Sequence, residues 1–144
     1  MDYHHLRPRP SAHIARATWG LVFATLSLSV SAAPLLRCQV SYAGTTHTVE
    51  AHPVADPYPV PSVDIGGRFR FKAVMVGSAA RIQHIALYAY LDASRQPLLI
   101  QEAKYFPPFK ASTTPYELTG EQHLYAGPVE RELIYRCTLQ GVTP

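Results

Sequence analysis

Residues 81–91, RIQHIALYAYL, alternate with a period of two, a pattern that suits a strand and does not suit an amphipathic helix. Ile85, Leu87, Ala89 and Leu91 share one face, and Ile82, His84, Ala86, Tyr88 and Tyr90 share the other. The run stops at Asp92-Ala93-Ser94-Arg95-Gln96-Pro97, a turn-forming cluster, and residues 98–105 return as a second strand. Charge sets the register of this hairpin. With Asp92 opposite Pro97, Leu87 would face Glu102 and Ile85 would face Lys104, and burying an unpaired carboxylate is costly. With Asp92 opposite Leu98, the residues Leu91, Ala89, Leu87 and Ile85 meet Leu99, Gln101, Ala103 and Tyr105. Tyr90 then meets Ile100, Tyr88 meets Glu102, and Ala86 meets Lys104. The second register predicts a loop over 93–97, an aliphatic inner face, and an outer face of tyrosines and charges.

The same period recurs along the chain. Cys38, Val40 and Tyr42 alternate with Gln39 and Ser41; Ala43-Gly44 turns the chain, and 45–51 returns. Residues 52–67 carry Pro53, Pro57, Pro59 and Pro61, which cannot donate to a ladder and favour an extended loop. In 68–76, Phe69, Phe71, Ala73 and Met75 point one way and Arg70 and Lys72 the other. A short strand over 122–126 precedes a last one, in which Val129, Leu133, Tyr135, Cys137 and Leu139 line one face. About seven strands with turn signals between them predict an all-β fold. The expected architecture is a small immunoglobulin-like β-sandwich with Greek-key connections, with a small β-barrel as the alternative. The Cys…Trp…Cys core of antibody domains is absent, since the one tryptophan is Trp19.

The N-terminus reads as a secretory signal peptide over 1–32. Arg7, Arg9 and Arg16 precede the apolar run 21–30 (LVFATLSLSV) and the small residues Ser31-Ala32-Ala33. Cleavage after Ala32 leaves one domain over 33–144. The apolar run falls short of the roughly 20 residues of a spanning helix, so no transmembrane segment is expected after cleavage. Arginine at position 37 departs from a lipobox, and Pro8 splits the arginine pair. The expected location is the periplasm or the extracellular medium. The formal charge of +3 belongs largely to the leader. Residues 33–144 hold ten basic and nine acidic side chains, a net of +1, which argues against a nucleic-acid partner. In an exported chain, Cys38 and Cys137 are expected to form a disulfide tying the first strand to the last.

No specific catalytic pattern is present: no G-x-S-x-G, H-E-x-x-H, phosphate loop or dinucleotide fingerprint. Glu130 and Glu132 share a strand face, but Arg131 and Arg136 lie beside them, as on a solvated surface. No cofactor is expected. His47, His52 and His123 are candidates for a copper or zinc site, with Asp56 close to the first two. A binding surface fits better. Phe106 and Phe109 lie in a stiff, lysine-flanked segment, Tyr58 sits between prolines, and Tyr88, Tyr90 and Lys104 occupy the outer hairpin face. These features predict an exported, non-catalytic binding or accessory module that contacts a protein or envelope partner. A periplasmic metal-binding protein and a hydrolase of glycans or envelope polymers are the alternatives.

Overall fold

A computed structural model describes residues 33–127 and 131–143. The expected leader over 1–32, Trp19, Val129 and Glu130 lie outside those residues. The described chain is all-β: β1 (Leu35–Tyr42), β2 (Thr45–Ala51), β3 (Pro53–Val54), β4 (Val63–Ile65), β5 (Phe69–Ser78), β6 (Arg81–Asp92), β7 (Pro97–Tyr105), β8 (Tyr116–Glu117), β9 (Gln122–Ala126) and β10 (Arg131–Gln140). They form two separate ladders, where a barrel would have one closed ladder. One sheet runs β2-β1-β10-β8, with β9 also on β10; the other runs β3-β5-β6-β7, with β4 also on β5. The chain changes sheets twice, after β2 and after β7.

The alternating residues of the sequence fill the space between the sheets. Leu36, Cys38, Val40, Leu133, Tyr135, Cys137 and Leu139 project from one side, and Phe69, Phe71, Met75, Ile85 and Leu87 from the other. Two aromatic pairs join the layers: Tyr42 with Phe69 at 5.2 Å and Phe71 with Tyr135 at 5.0 Å between ring centroids. The β1–β2 hairpin closes on Ala43 and Gly44, both at positive φ (49° and 81°), the mirror-image turn that follows strand twist. Cys38 and Cys137 are bonded as expected and stand directly opposite each other on β1 and β10. The Cys137 backbone N–H donates to Thr119 Oγ1, and its carbonyl accepts from Leu118 N–H, so both polar groups point away from β1. The pair is therefore a non-hydrogen-bonded one, the type that brings side chains closest.

The central hairpin combines both of the registers weighed above. From Ile85↔Tyr105 to Ala89↔Gln101 the pairing keeps Glu102 and Lys104 off the core, as the charge argument requires. A bulge at Ile100 then shifts the ladder, and Tyr90↔Leu99, Leu91↔Leu98 and Asp92↔Pro97 follow. The expected pairs Leu91–Leu99 and Tyr90–Ile100 are thus corrected. Ile100 packs against the core, Leu99 stands outside beside Tyr90, and the loop is one residue shorter. A second shift, between Val76↔His84 and Gly77↔Ile82, leaves Gln83 as the extra residue. It returns Ile82 to the inner side, where it is buried, although alternation alone puts it outside.

Among the described residues, one side-chain hydrogen bond crosses the core. The buried Tyr135 hydroxyl on β10 donates to Gln101 Oε1 on β7 at 2.6 Å. Burial, reinforced by Tyr105, pushes the Tyr135 phenol up to about 12, against an opposing contribution from the Gln101 bond. The unfolded chain releases this proton first, near pH 10. The group's contribution is therefore complete below pH 10 and lost as pH rises through about 12, on the order of 2 kcal/mol in all. Denaturant titrations at about pH 8 and about pH 11 should show Tyr135→Phe less stable than wild type by about 1 kcal/mol at the lower pH, with the gap closing at the higher. A constant gap would mean that the phenol does not contribute in this way.

Candidate functional site

The outer face of the β3–β7 sheet gathers most of the expected binding residues. Rows across its strands read Arg70–Tyr90–Leu99, Lys72–Tyr88–Glu102, and Val74–Ala86–Lys104. Val74 and Ala86 are almost fully covered, so the accessible surface here is that of the longer polar and aromatic side chains around them. Tyr88 and Tyr90, two apart on β6, stack with ring centroids 6.4 Å apart. Lys104 Nζ lies 2.9 Å from Glu102 Oε1. The hydrogen bond from Lys104 holds the Glu102 carboxyl below its usual range, and the same bond holds the ammonium above its own. Burial, then the Glu102 charge, raises the Tyr88 phenol.

Two basic side chains tether the proline loop to this face. Lys72 Nζ donates to the Pro57 carbonyl at 3.2 Å, and Arg70 Nε donates to Ser62 Oγ at 2.9 Å. Within the loop, Tyr58 N–H donates to Asp56 Oδ1, and Val60 N–H to the Pro57 carbonyl. These bonds hold a tight tip that presents the Tyr58 ring to solvent, 90% exposed. Phe106 continues the surface beyond β7, 65% exposed and 5.9 Å from the His84 ring. Phe109 does not join it, which corrects the expected exposed pair. Its side chain is half-buried and packs against the core, where it walls a cavity at one end of the sandwich. Leu99 is the member that alternation misses. In Leu98-Leu99-Ile100 three apolar residues run together, so the sequence carries no phase there, and the bulge decides which one faces out.

The three histidines do not converge. His47 pairs with Val40, whose side chain is in the core, whereas His123 pairs with Ile134 two strands away, in the adjacent row. His52 is exposed just beyond β2. Among the described residues no group of three His, Cys, Asp or Glu side chains is placed to hold a metal ion. His123 instead sits between carboxylates, with Nδ1 2.7 Å from Glu132 Oε1 and Nε2 3.1 Å from Glu121 Oε1. Tyr125 Oη donates to the same Glu132 oxygen at 2.7 Å. Glu132, then Glu121, raises the imidazole's pKa, so the cluster favours a histidinium bridging two carboxylates on an open sheet face. Glu121 and His123 are two apart on one strand face, the one sequence sign of this cluster.

Fold and surface together define a class: a two-sheet β-sandwich, closed by a disulfide, with a tyrosine- and lysine-bearing sheet face. Beyond that class, no protein-family model, no curated protein and no solved structure matches the chain. Among the described residues, no helix is long and apolar enough to cross a membrane.

Proposed function

We propose that this protein is an exported binding or accessory module that contacts a protein or envelope partner through the outer face of the β3–β7 sheet. The reading rests on one observation: Tyr88, Tyr90, Leu99 and Lys104 share that face, and Tyr58 and Phe106 extend it as exposed rings. Aromatic side chains supply contact area at low entropic cost, and the tyrosine hydroxyls and Lys104 supply direction. The leader-like sequence over 1–32 and the disulfide support export. The finer reading of the sandwich as immunoglobulin-like has support in its two sheet crossings. It departs from antibody domains in that its disulfide joins neighbouring strands of one sheet.

The test is capture from an envelope fraction with the oxidised full chain as bait. Tyr88→Ala and Tyr90→Ala should each weaken capture of the same partner about tenfold or more, as for central aromatic anchors. Tyr125→Ala, on the opposite sheet, should leave capture unchanged. Equal capture by all three variants would remove this face from the argument.

A further inference from the structure

The cavity walled by Phe109 has a chemistry of its own. It measures about 450 Å³, within the roughly 300–1,000 Å³ of small-molecule sites. It opens where the β5–β6 turn, the segment after β7 and the residues flanking β1 and β10 meet. Ile82, Pro108, Phe109 and Val142 give it apolar walls, and Ala80, with a one-carbon side chain, leaves room at the turn. Arg81 is the one ionisable residue in its lining. Among the described residues the Arg81 guanidinium makes no ion pair and no side-chain hydrogen bond, a state it shares with Arg68, Arg95 and Arg136, but only Arg81 of these four belongs to this lining.

A guanidinium with no partner among the described residues, carried by a residue of a largely apolar lining, favours a ligand with one anionic end and an apolar body. A carboxylate matches the planar fork of the guanidinium. A phosphate dianion would call for further donors, and the lining holds no second cationic side chain. A cationic amphiphile would meet repulsion. We infer that this cavity binds a single-chain aliphatic monocarboxylate of medium length, its carboxylate on Arg81 and its chain against Ile82 and Phe109. This site is separate from the outer sheet face.

Isothermal titration with hexanoate, octanoate and decanoate tests the inference, with the contact residues followed by amide chemical shifts. Each buried methylene should tighten binding about fourfold until the cavity is full. Octanoate should perturb Ile82, Phe109 and Val142. Arg81→Gln should weaken octanoate about tenfold or more and leave octanol unchanged, and Ala80→Trp, at an exposed turn, should abolish both. Tyr88→Ala should leave octanoate binding intact, so failure of this site and failure of the sheet-face reading are distinguishable. No saturable binding at millimolar octanoate would overturn the inference, as would indifference to chain length or to Arg81→Gln.

Discussion

Replacing Cys38 and Cys137 together by alanine should lower unfolding stability by about 4–5 kcal/mol. The bond joins residues 99 apart, so in the unfolded state it closes a loop of nearly the whole described chain. The chain-entropy model assigns about 4.7 kcal/mol to a loop of about 100 residues. In the folded state the two residues stand as a non-hydrogen-bonded antiparallel pair, the closer of the two pair types, with Cα atoms 4.0 Å apart. Against a typical domain stability of 5–15 kcal/mol, this is about a quarter of the total or more. The melting temperature should fall by on the order of 15–20 °C. The urea m-value should rise, since the uncrosslinked chain exposes more surface on unfolding. A loss below about 1 kcal/mol with an unchanged m-value would mean that the unfolded chain is already held together without the bond.

What the sequence makes legible here is phase, and what it hides is change of phase. Wherever apolar and polar residues alternate strictly, as in Phe69, Phe71, Ala73 and Met75 or Leu133, Tyr135, Cys137 and Leu139, the inner face can be read directly, and these residues are buried. The charge argument on Glu102 and Lys104 holds for the part of the hairpin that contains them. It fails toward the tip, because a bulge lets one hairpin satisfy two registers and nothing in Leu98-Leu99-Ile100 marks the slip. Phe109 hides for another reason. A proline-rich segment has no period, so whether an aromatic in it faces solvent or the core depends on where the segment crosses the sandwich end. The His123–Glu121–Glu132 cluster needs the β9–β10 pairing to bring Glu132 within reach, and pairing partners are not local information. The outer sheet face is therefore legible in Tyr88, Tyr90, Lys104 and Phe106, and its Leu99 margin is not.

Gly77→Ala should destabilise the protein by about 3–5 kcal/mol, far more than one methyl group on a strand ordinarily would. Gly77 lies at φ 141°, a conformation that L side chains rarely adopt. A Cβ there would meet the Arg81 carbonyl oxygen at 2.3 Å and the Gln83 nitrogen and Ile82 Cα at 3.0 Å. All three are backbone atoms of the facing strand, so no rotamer change can relieve the overlap. The chain must separate β5 from β6 or open the bulge at Gln83. Opening the bulge restores simple alternation, and simple alternation turns Ile82 outward, away from the core and from the cavity wall. The cost thus combines backbone strain with loss of a buried isoleucine, about 1–3 kcal/mol for each. Ala79→Ser, two residues on and exposed, should stay within about 0.5 kcal/mol of wild type and serves as the control. Denaturant midpoints of the two variants, with the amide shifts of Ile82 and Phe109 recorded for each, decide the matter. If Gly77→Ala matches the control, the ladder tolerates a side chain at the bulge, and the inward position of Ile82 must be held by core packing alone.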